Sequence, residues 1–203
     1  MSDEPTQATA NEERRSYFRI DDTVRMSLRR VPPEELAARL DRLDHDLAGS
    51  FTVMSSLTAI TAQMTASLRR IENRDADLAA YLRAIDQKIE VIGRAFIAQE
   101  PELAAEAATA VNLSAGGMSA VVDEIYEPGT ELEIRLLLFP SFTGLMIYGT
   151  VVECSPVEEG EGGKYLVRME FSHIREQDRE LLIRHLLRCQ SRQLRDRNED
   201  EEL

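Results

Sequence analysis

The sequence predicts an α+β protein in which a small antiparallel β structure is interrupted by one long coiled-coil helix and followed by an amphipathic helix. Three observations predict this class. Apolar residues recur mostly at every second position between Tyr17 and Val31, as in a strand. From Leu36 they follow an alternating four-and-three spacing over about nine heptads, as in a coiled coil. After Pro101, short apolar runs return between clusters of turn-forming residues.

Composition narrows the class of protein. With 203 residues and 43% hydrophobic residues, the chain can build a folded core. The 24 Lys and Arg against 37 Asp and Glu give a formal charge of −13, which repels a phosphate backbone, so we expect no nucleic-acid partner. The only cysteines, Cys154 and Cys189, form no CxxC motif. The cysteines therefore predict reduced thiols, with neither a disulfide nor a zinc site.

The first 13 residues are polar and acidic, unlike a secretory signal, and are predicted to be a flexible leader. The segment from Leu47 to Leu68 carries no charge, but Ser and Thr interrupt it throughout. A membrane span needs roughly 20 predominantly apolar residues. We therefore expect no membrane span and a cytoplasmic location.

The first strand is predicted to end at Pro32 and Pro33, because proline cannot donate to a β ladder. Pro33 followed by Glu34 and Glu35 then favours a helix start, since acidic side chains stabilise the positive end of the helix dipole. The apolar residues of this strand are Phe18, Ile20, Val24, Met26, Leu28 and Val31.

The heptad segment is interpreted as an oligomerisation helix, and no proline occurs from Glu34 to Glu100. Leu at position a with Ile at position d disfavours a two-stranded coil and shifts the preference to trimers or tetramers. We expect a homo-oligomer, with a tetramer preferred to a trimer. The predicted seam is Leu40, Leu43, Leu47, Met54, Leu57, Met64, Leu68, Ile71, Leu78, Leu82, Ile85, Ile89, Ile92 and Phe96.

The same segment admits an alternative, an intramolecular helical hairpin that turns near Gly49-Ser50. Turns between helices often contain glycine, but the heptad phase runs through Gly49 without a shift. The continuous helix is therefore preferred to the hairpin.

The C-terminal half is predicted to be a small antiparallel barrel or sandwich followed by a helix from about Glu176 to Cys189. Turn-forming clusters such as Glu127-Pro128-Gly129 separate the strands. The predicted strands lie in the apolar runs from Met118 to Val122, Leu132 to Phe139, Leu145 to Val152 and Tyr165 to Phe171.

The sequence contains no recognisable catalytic site. His45, His173 and His185 are scattered over different predicted elements, with no nucleophile motif, paired carboxylates or phosphate-binding glycine loop beside them. The sequence therefore predicts no enzyme activity, no catalytic residue, no metal ligand and no cofactor.

Two short segments have the chemistry of a binding site. Arg14, Arg15 and Arg19 gather three guanidinium groups in an acidic chain, and guanidinium binds phosphate oxygens or the O6 and N7 edge of guanine in a bidentate manner. Asn112 and Ser114 donate and accept hydrogen bonds just before two glycines that permit a tight turn. Either segment alone is weak, because surface arginines and plain β-turns are common.

Together, these segments resemble the two motifs of PilZ domains. Arg14-Arg15-x-x-x-Arg19 is similar to the RxxxR element, and Asn112-x-Ser114-x-x-Gly117 is similar to the [D/N]xSxxG element. The resemblance implies a six-stranded antiparallel barrel that binds the bacterial second messenger cyclic di-GMP. It assigns the phosphate and guanine clamp to the three arginines and barrel-side contacts to Asn112 and Ser114, with Gly117 shaping the turn. Ligand binding would order the leader.

The coiled coil separates the two motifs, as in a PilZ subgroup whose long helices form tetramers. The resemblance implies a receptor that relays the level of cyclic di-GMP to a protein partner. The alternative is an oligomeric PilZ-like scaffold for motility or envelope-biogenesis proteins that needs no nucleotide. The expected organisation is a leader over 1–13, the arginine motif and first strand over 14–32, an inserted helix over 33–100, the remaining barrel and C-terminal helix over 101–190, and a charged tail over 191–203.

Overall fold

The computed structural model of the chain describes residues 18–45, 49–98, 107–157 and 163–201. The leader prediction, together with Arg14 and Arg15, lies outside these residues. The strands are β1 (Ile20–Arg30), β2 (Thr109–Ser114), β3 (Gly117–Val122), β4 (Glu131–Leu138), β5 (Thr143–Pro156) and β6 (Tyr165–His173). The helices are α1 (Pro33–Asp44), α2 (Ser50–Glu72), α3 (Ala76–Ala98) and α4 (Glu176–Glu201).

The six strands form a closed barrel in the order β1-β2-β3-β6-β5-β4, and every neighbouring pair is antiparallel. Strand β1 closes it by pairing with two partners. Its first half, from Ile20 to Val24, pairs with β2, and its second half, from Arg25 to Arg30, pairs with β4. The α+β class and the six-stranded antiparallel barrel are thus confirmed.

One apolar core fills the barrel, and α4 covers one of its openings. Alternate residues of β1 point inward, which explains the period-two pattern of the sequence. Leu182 and Leu186 of α4 join the same core. The interior of the barrel is lined chiefly by Val24, Leu113, Met118, Leu132, Ile134, Leu136, Leu145, Ile147, Val167 and Met169.

Strand β5 is buried on both faces over its first half. Its inward residues fill the barrel, while Met146 and Tyr148 point outward beneath a second cluster that contains Leu43 of α1 and Phe51 of α2. Burial, together with the nearby Glu133 carboxylate, raises the pKa of Tyr148 to about 12. The first two helices therefore pack against the outer wall of the barrel instead of standing away from it.

The prediction of one continuous helix from 33 to 100 is wrong. The segment breaks near Gly49, whose φ of 105° is open to glycine and strained for other residues, and again at residues 73–75. At the second break the Asp75 carboxylate accepts a hydrogen bond from the backbone N–H of Leu78 at 2.9 Å. Asp75, one of the non-apolar residues in the predicted seam, is thus the N-terminal cap of α3.

The two long helices form an antiparallel hairpin. The Glu72–Arg83 ion pair joins α2 and α3 beside the turn, and the side chain of Met54 packs against Gly93 at the far end. The hairpin alternative is therefore nearer the structure than the continuous helix, although the hairpin turns at residues 73–75 instead of near Gly49.

Part of the predicted oligomer seam instead packs inside the subunit. Leu40 and Leu43 lie against the outer wall of the barrel, and Met54 packs on Leu137 of β4. The sequence pattern cannot distinguish a helix that packs against other subunits from one that packs against the barrel, because both helices need the same apolar stripe. Leu47 lies outside the described residues, as does the side chain of Phe96.

A buried ion pair joins β6 and α4 to the hairpin. The Arg175 guanidinium donates to both carboxylate oxygens of Asp178, at 2.8 and 3.0 Å, and to the hydroxyl of Ser55 on α2 at 2.6 Å. Helix α4 continues to Glu201, so its predicted end near Cys189 is wrong. Arg, Gln and Leu, which are good helix formers, extend the helix.

Asp178→Ala is expected to destabilise the protein by about 3 kcal/mol, because it leaves the Arg175 charge buried without its carboxylate. The side chain of Asp178 is 0% exposed. Urea unfolding measures the change, with Glu180→Ala, an exposed acid on the same helix, as the matched control. Equal stability of the two variants would contradict the assigned role of the pair.

Candidate functional site

The Asn-Ser-Gly segment forms the hairpin between β2 and β3. The hydroxyl of Ser114 donates to the carbonyl oxygen of Gly117 at 3.0 Å and accepts from the backbone N–H of Gly116 at 3.3 Å. Ser114 is only 3% exposed. In the structure, the Ser114 hydroxyl therefore stabilises the turn. Contact between this hydroxyl and a ligand stays a prediction.

Gly117 is required by close packing of strands instead of by turn geometry. A Cβ at this position would collide with the carbonyl oxygen of Met169 on β6 and come within 3.3 Å of the Cα of Glu170. From the sequence, we expect Gly117 to shape the turn. In the structure, glycine is needed at this position because β3 and β6 approach each other too closely for a side chain.

Gly117→Ala is expected to cost about 2 kcal/mol of stability, because backbone atoms of β6 must move to admit the methyl group. Thermal unfolding followed by circular dichroism measures the loss. An alanine variant as stable as the wild type would show that the strands can separate without cost, and the close-approach account would then fail.

Arg19 and Asn112 meet across the pairing of β1 and β2. The Arg19 guanidinium donates to the Asn112 side-chain oxygen at 2.9 Å, and the Asn112 amide donates to the carboxylate of Asp21 at 2.8 Å. Since Asp21 lies opposite Asn112 in the ladder, the strand register itself brings the three side chains together. The fold thus joins the two sequence motifs, which are 93 residues apart.

Sequence reasoning missed two polar residues of this region. Asp21 lies on the exposed face of β1, and only the strand register reveals its contact with Asn112. Arg179 of α4 donates to the carbonyl oxygen of Ala115 in the β2–β3 turn at 3.1 Å. No local pattern marks Arg179, because its partner lies 64 residues earlier in the chain.

The arrangement is suited to a ligand that is both anionic and rich in hydrogen-bonding groups. The exposed guanidinium of Arg19 offers donors for phosphate oxygens or for O6 and N7 of guanine. The exposed carboxylate of Asp21 accepts hydrogen bonds, which suits the N–H groups on the opposite edge of guanine. A guanine nucleotide has both features, because it carries phosphate oxygens and the two hydrogen-bonding edges of guanine.

Within the described residues, no helix combines the length and apolar character that crossing a membrane would need.

Comparison with known proteins agrees with this architecture. Residues 77–188, more than half of the chain, match the family model described as the PilZ domain. No curated protein sequence matches the chain.

Among solved structures, the chain resembles a tetrameric PilZ domain of a pathogenic Xanthomonas campestris protein, self-assembled through a helical bundle. The two share 18% identity over 89% of this chain and 90% of that one, with a TM-score of 0.55. The Bacillus subtilis inhibitor of motility matches at 24% identity over 43% of each chain, with a TM-score of 0.37. The PilZ domain of an Escherichia coli protein, solved with cyclic di-GMP, matches at 16% identity over 48% of this chain and 82% of that one, with a TM-score of 0.34.

Proposed function

The chain belongs to the PilZ domain family, and from this premise we propose that it is a non-enzymatic receptor for cyclic di-GMP. Members of the family are typically receptors for this nucleotide. The proposed site consists of Arg14, Arg15, Arg19, Asn112 and Ser114, with Gly117 permitting the strand approach beneath it.

The observation that carries this proposal is the contact between Arg19 and Asn112. A scaffold has no physical need to place an exposed arginine beside the asparagine of a strand that is distant in sequence, whereas a guanine nucleotide can use both side chains. The 2.9 Å hydrogen bond holds Arg19 over the β2–β3 hairpin before the ligand arrives. Such preorganisation lowers the entropy lost on binding.

We further propose that the receptor is a homo-oligomer assembled through the helical hairpin. Five residues of α3 at three- and four-residue spacing form an apolar stripe, and four of them are exposed in the subunit. Monomeric soluble proteins rarely leave large contiguous apolar patches in water. The fold match to a tetrameric helical-bundle PilZ protein makes a tetramer the favoured assembly. The α3 stripe consists of Leu78, Tyr81, Ile85, Ile89 and Ile92.

Helix α2 adds exposed apolar residues at Val53, Ile60 and Met64. In the proposed assembly, stripes from several subunits pack together and the barrels lie outside the bundle. The nucleotide state of each barrel is then available to a downstream protein partner. A scaffold that needs no nucleotide is the second candidate, and the apolar stripes support it equally.

Calorimetric titration of the full-length protein with cyclic di-GMP tests the receptor proposal, with GTP as the control nucleotide. Saturable heat with cyclic di-GMP alone is expected, because only the dinucleotide offers two guanines on one phosphate ring. Absence of heat from a folded protein would favour the scaffold.

A further inference from the structure

A group of side chains outside the proposed nucleotide site has the composition of a metal centre. Asp22 of β1 and His185 and Cys189 of α4 place one ligand atom each within 4.8 Å of one another. No other group of three such residues occurs in the described part of the chain. His185 and Cys189 share one face of α4, because residues four apart on a helix are neighbours.

A carboxylate oxygen and a thiol sulfur both lie close to one ring nitrogen. Nε2 of His185 lies 2.6 Å from Oδ2 of Asp22 and 3.5 Å from Sγ of Cys189. A single ring nitrogen carries either a proton or a lone pair, so it cannot form a full hydrogen bond to both neighbours at once. A cation between the three atoms would satisfy all of them together.

We propose that Asp22, His185 and Cys189 bind a zinc-type divalent cation. Zinc takes imidazole nitrogen, thiolate sulfur and carboxylate oxygen in tetrahedral sites. Bonds of about 2.3 Å to sulfur and about 2.0 Å to nitrogen and oxygen place the ligand atoms roughly 3.2–3.6 Å apart. The observed sulfur–nitrogen separation of 3.5 Å already meets this requirement. The 2.6 Å nitrogen–oxygen hydrogen bond must open, and the ligand oxygen of Asp22 lies within 4.8 Å of the sulfur.

The three side chains are buried, so a cation bound to them would be enclosed by the protein instead of lying on its surface. The side chains of His185 and Asp22 are 4% and 8% exposed, and Cys189 is buried. Leu182 and Leu186 of the same helix belong to the core. Three protein ligands leave a fourth position, which water fills in such sites. Burial first, and then the Asp22 carboxylate, raises the pKa of the Cys189 thiol. Binding of the cation to the thiolate would displace the thiol proton to solvent.

The position of the centre gives the cation a structural consequence. Asp22 follows Asp21, whose carboxylate holds Asn112 and whose carbonyl oxygen accepts from the side chain of Gln193 at 2.8 Å. A cation bound to β1 and α4 would therefore fasten the C-terminal helix to the strand that carries Arg19. This inference does not depend on nucleotide binding.

Cobalt(II) is the probe for this site, because a thiolate bound to it produces a charge-transfer band in the near ultraviolet that a hydroxyl does not. The metal-free full-length protein is titrated with Co²⁺ alone, without nucleotide. The wild type is expected to show a saturable band at one equivalent, and Zn²⁺ should displace it. The chain offers a matched control, because its second cysteine, Cys154, lies on β5 away from the group.

Cys154→Ser is expected to keep the band, while Cys189→Ser and Asp22→Asn lose it or bind at least tenfold more weakly. Thermal unfolding gives a second readout: Zn²⁺ should raise the melting temperature of the wild type and of Cys154→Ser, but not of Cys189→Ser. A wild type without the band, or a band that survives Cys189→Ser and disappears in Cys154→Ser, would overturn the proposal. In that case the Asp22–His185 hydrogen bond simply holds α4 to the barrel.

Discussion

Arg19→Ala is expected to weaken cyclic di-GMP binding by roughly 10- to 100-fold, because it removes a charge-assisted hydrogen bond of about 1.5–3 kcal/mol. The same change removes the contact that holds Asn112 toward the ligand. Calorimetric titration of the purified variant measures the loss.

Arg25→Ala is the matched control, since Arg25 is an exposed arginine on the same strand but lies on the half of β1 that pairs with β4. It removes the same charge from the protein as a whole. If both variants weakened binding equally, the effect would be general electrostatics, and the assignment of Arg19 to the site would be wrong.

Ile89→Glu together with Ile92→Glu is expected to reduce the oligomer to monomers. These side chains are 40% and 56% exposed in the subunit, so the charges do not enter its core. In an assembled bundle the same positions would bury two carboxylates per subunit, which is strongly unfavourable. Sedimentation velocity measures the mass, and circular dichroism reports whether the subunit is still folded.

The matched control is Ala80→Glu with Val91→Glu, which adds the same charge at exposed positions of α3 outside the stripe. It should sediment as the wild type does. A wild-type protein that is already monomeric, or a stripe variant that stays assembled, would contradict assembly through this face.

The barrel could be predicted largely from the sequence because its strands carry two independent signals. Period-two alternation marks β1, and turn clusters separate β4, β5 and β6. Strand β2 is not among the strands predicted from apolar runs, because it is short and its apolar pattern is brief. The Asn-Ser-Gly motif indicates only the turn that follows it.

The helical region could be predicted less well, because its heptad phase continues across both breaks. Asp75 was the available signal of the second break, because a carboxylate at a position where the seam needs an apolar residue is suited to capping a helix. The packing of Leu43 on the barrel near Tyr148 depends on tertiary structure that no heptad pattern encodes.

Only those residues of the candidate site that belong to the two motifs could be predicted from the sequence. The two motifs identify Arg19, Asn112 and Ser114 from the sequence, whereas Asp21 and Arg179 are identified only by the strand register and the position of α4. No metal site is predicted from the sequence, because the four-residue spacing of His185 and Cys189 does not by itself mark one. Asp22, which lies 163 residues before His185, could not be associated with them without the fold.

Hydrogen exchange of the full-length protein, with and without cyclic di-GMP, tests the central claim most directly because it reports binding and its location together. The receptor account predicts slower exchange in the first half of β1 and in the β2–β3 hairpin, with β4 and the first half of β5 unchanged. Unchanged exchange throughout, or protection confined to α2 and α3, would contradict the proposal that the two motifs form one nucleotide site.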